Sequence, residues 1–93
     1  KEPDAYYNRG NAYAALGQTH NAIGDWTRAI HLKPSFAEAY NNRGTLYFMT
    51  GNAESGCHDA KKACEMGICK ALDWALKESY CRRLECRSHK PGD

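Results

Sequence analysis

The stretch YYNRGNAYAALG, residues 6–17, returns 34 positions later as YNNRGTLYFMTG, residues 40–51. At the same offset Asp25 matches Asp59 and Ala29 matches Ala63. So many identities at one spacing are typical of stacked supersecondary units, because each unit repeats the residues that pack it against the next. The sequence therefore predicts two copies of one structural unit.

Each copy has the pattern of two helices. Aromatic, arginine and glycine residues recur at three- and four-residue steps between Tyr6 and Tyr13, which indicates one face of a helix. Gly17 is expected to end this first helix, since glycine tolerates a left-handed backbone. Pro34 is expected to end the second, since proline cannot donate to the helix ladder. The predicted helices span residues 4–16, 19–32, 37–50 and 53–66.

A third copy begins but is not completed. Shifted once more by 34, residues 70–80 project onto the first helix of the unit, with Trp74 at the position of Tyr6 and Tyr40. A lone final helix is a usual way to close such a stack. The sequence thus predicts an all-α solenoid of antiparallel helix pairs with about five helices. Its predicted segments are repeat one at 3–36, repeat two at 37–70, a capping helix at 71–81 and a polar tail at 82–93.

Small residues occupy the predicted crossing points of the helices. A larger side chain there would wedge two helices apart, and the aromatic residues Tyr6, Tyr13 and Trp26 would fill the volume around the contacts. The small residues are Gly10, Ala22 and Ala29 in the first copy, and Gly44, Gly56 and Ala63 in the second.

This arrangement resembles the tetratricopeptide repeat. The first copy matches its signature at Tyr6, Gly10, Tyr13, Ala22, Trp26, Ala29 and Pro34. The second matches at Tyr40, Gly44, Tyr47 and Ala63, and departs from it at Gly56, Ala60 and Ile68. The resemblance implies a curved stack whose first helices line a concave groove, and such a groove commonly holds an extended peptide or a partner helix.

The resemblance also implies which residues line the groove. By matching position they are Asp4, Tyr7, Asn8, Asn11 and Ala14 from the first copy, Glu38, Asn41, Asn42, Thr45 and Phe48 from the second, and Leu72, Ala75 and Ser79 from the cap. Tyr7 and Phe48 are candidate anchors, because aromatic side chains often dominate binding energy. The alternative for Phe48 is packing against the neighbouring unit.

One variety of the family binds a chaperone's terminal carboxylates with lysines or arginines beside asparagines. Asn11 and Asn42 stand at matching positions, but Tyr7 and Asn41 occupy the places of the cations. Arg9 and Arg43 lie one step off the lining face and are expected to pack their stems between helices. The sequence therefore argues against a two-carboxylate clamp.

Five cysteines follow residue 56, and three interpretations remain open for them. Cys57 and Cys64 share a helix face and could pack as small hydrophobic residues. A hairpin turning near Gly67 would instead bring Cys57 near Cys81 and Cys64 near Cys69, allowing two disulfides. Those bonds would require an oxidising compartment; without them the cytoplasm is the default. Cys86 would then be left for intermolecular oxidation.

The third interpretation is zinc. Cys57, His58, Cys64 and Cys69 carry suitable ligand atoms, but structural zinc sites usually contain closely spaced ligand pairs. No Cys-x-x-Cys occurs in the chain. We therefore predict no metal and no other cofactor.

Charge, hydropathy and motifs limit the classes of function that the sequence indicates. A net charge of +2 over 93 residues does not indicate nucleic acid or an anionic membrane as a partner, and no apolar run approaches the length of a membrane span. No nucleophile motif or phosphate loop occurs, so we predict no enzyme. The chain opens KEPD without an initiator methionine, and we expect a segment of a longer protein.

The function predicted from these observations is protein–protein interaction, as a scaffold or adaptor that binds a protein or peptide partner. Two alternatives stay open. One is a redox- or zinc-dependent structural element in the cysteine-rich half. The other is a spacer, or a stack that associates with itself through the open face carrying Tyr6 and Tyr13.

Overall fold

Five helices form the part of the chain that the computed structural model describes, residues 2–81. They are α1 Pro3–Ala15, α2 Thr19–Leu32, α3 Ala37–Met49, α4 Ala53–Glu65 and α5 Lys70–Lys77. Helices α1 and α2 pair with each other, as do α3 and α4, while α2 packs on α3 and α5 closes against α3 and α4. No strand occurs within residues 2–81. The predicted all-α stack of helix pairs is confirmed.

The helix ends follow the local sequence. The first four helices begin and end within one residue of their predicted bounds. Gly17 and Gly51 take φ values of 79° and 85° just after α1 and α3. There the N–H of Gln18 donates to the carbonyl of Tyr13 at 2.9 Å, which satisfies one of the carbonyls at the helix end.

The last helix is shorter than predicted. It ends at Lys77, because Ser79 adopts φ 67°, a left-handed conformation that an α-helix cannot continue through. The predicted polar tail, residues 82–93, lies outside the described residues, and so does Cys86.

The two repeats fill their cores differently. In repeat one, Trp26 is 2% exposed and packs so closely on Gly10 that a Cβ there would lie 2.6 Å from its Nε1. In repeat two, Ala60 stands in place of that tryptophan, and the vacated volume is taken by Phe48 from α3. Gly56 makes room for the ring, since a Cβ at Gly56 would lie 2.8 Å from Phe48. The departures from the repeat signature at Gly56 and Ala60 therefore compensate for each other, because both make room for Phe48.

Gly56→Ala is expected to lower the free energy of unfolding by about 1–3 kcal/mol, because the added methyl group overpacks the core against Phe48. Gly24→Ala is the matched control. Its Cβ would meet only the Arg28 guanidinium, at 3.7 Å, so it should stabilise helix α2 by about 0.4–1 kcal/mol. Urea unfolding followed by circular dichroism measures both, and changes of the same sign would contradict this packing.

Two disulfides join the second repeat to its cap. Cys57 of α4 is bonded to Cys81, which follows α5, and Cys64 near the end of α4 is bonded to Cys69, which precedes α5. Between these bonds, the rings of Trp74 and Tyr80 stack with their centroids 5.2 Å apart, and both lie against Phe48. The short α5 is thus held by covalent bonds at both of its ends and by an aromatic cluster.

Candidate functional site

The predicted groove residues of the two repeats lie on α1 and α3, at spacings that place them along one face of each helix. Those of the cap lie on α5, where Leu72 is half-buried, and just after it, where Ser79 is exposed. The residues on α1 and α3 differ in how accessible they are. Asp4, Asn8 and Glu38 are exposed, Tyr7, Asn11, Asn41, Asn42 and Thr45 are half-buried, and Phe48 is buried.

A bridge of hydrogen bonds crosses from α1 to α3. The Nδ2 group of Asn42 donates to the hydroxyl oxygen of Tyr7 at 3.2 Å and to Oδ1 of Asn11 at 3.0 Å. The ring of Tyr7 also rests on that of Phe36, with 4.9 Å between centroids. These contacts hold the side chains of Tyr7 and Asn11 in position. Within residues 2–81 the Tyr7 O–H and the Asn11 Nδ2 group donate to no other side chain or carbonyl, so both can donate to a ligand.

The side chains of Asn41 and Thr45 form hydrogen bonds with the backbone of the fold. The side-chain oxygen of Asn41 accepts a hydrogen bond at 3.1 Å from the backbone N–H of Ala71, in the first turn of α5. The first N–H groups of a helix have no partner within it, so Asn41 caps the closing helix from a distance. The Thr45 hydroxyl donates to the Asn41 carbonyl at 3.0 Å, one turn back along α3. Both predicted groove residues thus make structural bonds.

The burial of Phe48 corrects its assignment as a groove anchor. Its side chain is 3% exposed and lies among core residues. The physical reason is the alanine at position 60, where repeat one has Trp26, because the smaller side chain leaves a volume that Phe48 occupies. Ala75, also placed in the groove by the sequence, is fully buried. The packing alternative therefore describes Phe48, and Tyr7 remains as the aromatic side chain of the groove.

One constellation that was not predicted from the sequence recurs in both repeats. Nε and Nη2 of Arg9 donate to the two carboxylate oxygens of Asp25, at 2.7 and 2.9 Å. Arg43 binds Asp59 with the same atoms and the same distances. Both aspartates are 1% exposed. The signal was available, because an arginine and an aspartate sixteen residues apart recur together at the 34-residue offset.

The arginines of these pairs are also flanked by aromatic rings. The guanidinium of Arg9 lies 5.8 Å and 5.6 Å from the ring centroids of Tyr6 and Tyr13, within cation–π range. Its hydrogen bonds hold the pKa of Asp25 below the usual range, although burial of that carboxylate acts in the opposite direction. Asp25 is therefore ionised at neutral pH.

The positions of the cysteines bear on the zinc interpretation. Among residues 2–81, no three histidine, cysteine or acidic side chains come together as a metal site would require. The cysteines that the zinc interpretation needed are bonded to each other or to Cys81. No helix within residues 2–81 is long and apolar enough to cross a membrane.

Comparison with known proteins identifies the repeats. Residues 10–51, which run from the middle of α1 to the end of α3, match the family model described as TPR repeat. These units are tetratricopeptide repeats. In general, this family comprises non-catalytic modules for protein–protein interaction.

Similar repeats occur in much longer proteins. Over 64 residues the chain is 34% identical to human tetratricopeptide repeat protein 13, and the matched stretch makes up 69% of this chain and 7% of that protein. It is 36% identical over 64 residues to human DnaJ homolog subfamily C member 3, a match that makes up 66% of this chain and 13% of that protein. It is 28% identical over 82 residues to Hsc70-interacting protein 1 of Drosophila melanogaster, a match that makes up 88% of this chain and 22% of that protein. The chain therefore spans less than a quarter of the length of these relatives.

Proposed function

We propose that this tetratricopeptide module is non-catalytic and binds an extended segment of a partner protein along the face of α1 and α3. The main support for this proposal is a pair of oriented hydrogen-bond donors, the Tyr7 hydroxyl and the Asn11 amide, which Asn42 holds in place. Backbone carbonyls of an extended peptide are acceptors that match such donors. Because the donors are already positioned, little side-chain entropy is lost when a ligand binds.

The charge of this face points to a basic ligand. Asp4 and Glu38 occupy equivalent positions in the two repeats and are both exposed, whereas none of the predicted lining residues is a lysine or arginine. Carboxylates at a groove attract lysine and arginine side chains and repel terminal carboxylates. The relative from Drosophila is named for its interaction with Hsc70. Our proposal for this chain is instead a partner segment that carries at least one basic residue beside a stretch of extended backbone.

A random peptide library screened against the whole chain tests this proposal. We expect enriched peptides to contain basic residues, and we expect Asp4→Lys/Glu38→Lys to weaken the selected peptides about tenfold, since each exposed pair contributes up to about 1 kcal/mol. Glu54→Lys/Glu65→Lys is the matched control, because it makes the same charge change at exposed positions of α4. The control should retain binding to within about twofold.

Two results would contradict groove binding. The first is a screen that enriches no peptide, which would favour a spacer. The second is an equal loss of binding in the groove variant and the α4 variant, which would show that only the net charge matters.

A further inference from the structure

The two disulfides of the second repeat differ in how far solvent can reach them. Cys57 and Cys81 are 8% and 5% exposed, so the bond between them, which we call the buried disulfide, lies within the core. Cys64 and Cys69 are both half-buried, and their bond, which we call the turn disulfide, spans the connection between α4 and α5. Thiol–disulfide exchange requires a thiolate to reach a sulfur atom, so the turn disulfide is the more accessible of the two.

The surroundings of Cys69 favour exchange at the turn disulfide. Cys69 is the N-cap residue of α5, and the positive end of a helix dipole stabilises a thiolate, which makes this sulfur the better leaving group. Its Sγ atom also lies 3.6 Å from the carbonyl oxygen of Cys64, so the thiol that reduction forms there has an acceptor nearby. The reduced pair therefore fits where the bond now lies, and the reaction can run in both directions.

The turn disulfide also fixes the start of α5, where the side chain of Asn41 is engaged. The Oδ1 atom of Asn41 accepts a hydrogen bond at 3.1 Å from the N–H of Ala71, two residues after Cys69. Asn41 belongs to the row of α3 residues that is predicted to line the groove, next to Asn42. While the start of α5 is held in place, the Asn41 oxygen is thus used by the fold at a position where a ligand would meet it.

We propose that the turn disulfide is a thiol–disulfide exchange site for a dithiol reductant, and that its reduction releases Asn41 to the groove. One thiolate of the dithiol attacks Sγ of Cys64, the bond to Cys69 breaks, and Cys69 leaves as a thiolate that takes up a proton. The second thiol of the reductant then displaces Cys64 from the mixed disulfide. The reductant ends as a disulfide, and two electrons and two protons have passed to the cysteine pair.

Reduction leaves the cap attached but loosens its first turn. The buried disulfide still joins the end of the cap to α4, whereas the start of α5 loses its covalent link, so the Ala71 N–H separates from Asn41 more often. The freed Asn41 oxygen can accept from a backbone N–H of an extended segment, beside the donors of Tyr7 and Asn11. This consequence for binding rests on the groove proposed above, whereas the exchange reaction itself does not.

Limited reduction of the whole chain tests the exchange site. The folded chain is treated with increasing concentrations of dithiothreitol, a small dithiol, the thiols are blocked with iodoacetamide, and mass spectrometry identifies the labelled cysteines. We expect the turn disulfide to open at dithiothreitol concentrations about tenfold lower than those that open the buried disulfide. The proposal is overturned if the buried disulfide opens first, if both open together, or if all four cysteines are labelled before any reductant is added.

Amide hydrogen exchange measured by NMR tests the release of Asn41. We expect the Ala71 N–H to exchange about tenfold faster once the turn disulfide is reduced, while the N–H of Ala60 in the core of α4 keeps its rate. In Asn41→Ala the Ala71 N–H should exchange fast in both redox states. Asn41→Asp keeps an acceptor oxygen and should restore the dependence on reduction. An Ala71 exchange rate that reduction leaves unchanged contradicts the proposal.

Replacing Cys64 and Cys69 by alanine is the control that mimics the reduced state. Alanine is preferred because serine at position 69 would itself cap α5. The variant should show fast exchange at Ala71 without dithiothreitol, and dithiothreitol should change it no further; slow exchange in this variant would again overturn the proposal. None of these readouts uses a peptide. Their failure therefore leaves the groove proposal standing, and a peptide screen without enrichment leaves the exchange site standing.

Discussion

Asp59→Asn is expected to lower the free energy of unfolding by about 3–5 kcal/mol, because it leaves the Arg43 guanidinium charged, largely buried and without its carboxylate. Arg43 is covered by α2, and its guanidinium cannot be hydrated after the pair is broken, since its side chain is only 15% exposed. The loss also disturbs the contact between repeats, where Arg43 donates to Thr27. Urea unfolding at neutral pH, followed by circular dichroism, measures the change.

Asp25→Asn is the internal control for this experiment. It removes the same charge in repeat one, where Asp25 binds both Arg9 and Arg28, but these two arginine side chains are 57% and 56% exposed and can be hydrated once the pairs are broken. We therefore expect a smaller loss, about 1–2 kcal/mol, mainly from the buried hydrogen bonds. Equal losses in the two variants would contradict the assignment of the difference to the covering helix.

Replacing Cys57 and Cys81 together by alanine is expected to lower the free energy of unfolding by about 3 kcal/mol. The bond between them closes a loop with a sequence separation of 24, and its removal returns conformational entropy to the unfolded chain. Because Cys81 follows α5, the loss should also release the aromatic cluster of Phe48, Trp74 and Tyr80. Tryptophan fluorescence would then report loosening of the cap before global unfolding.

Replacing Cys64 and Cys69 by alanine is the matched comparison. That bond spans a separation of only 5, so the loss of about 2 kcal/mol should be smaller. A thiol count on unreduced, denatured protein checks the premise directly. With both bonds formed, one of the five cysteines reacts. Five reactive thiols would mean that the cysteines pack as free side chains, and the chain would then need no oxidising compartment.

Local sequence was sufficient for the helices because their signals lie within one or two turns. The spacing of Tyr6, Gly10 and Tyr13 indicates one helix face, and the glycines at the helix ends take the left-handed backbone that few other residues adopt. The 34-residue repeat added the order in which the helices stack. The early end of α5 was missed because Ser79 carries no comparable signal, being a residue that rarely takes a positive φ.

What each side chain of the groove does was decided by the tertiary structure. Phe48 matches a lining position, yet it is core because Ala60, twelve residues away on another helix, leaves space for it. Asn41 matches another, yet it caps α5, thirty residues further along the chain. Such roles depend on the space left between neighbouring helices and on the N–H groups there that lack a partner. The periodicity of one helix carries information about neither.

The sequence by itself determined the repeats, their helices and the faces they turn toward each other. Only the packed structure decided which residues of those faces are occupied by the fold and which remain for a partner, since burial and hydrogen bonding depend on all the surrounding helices at once.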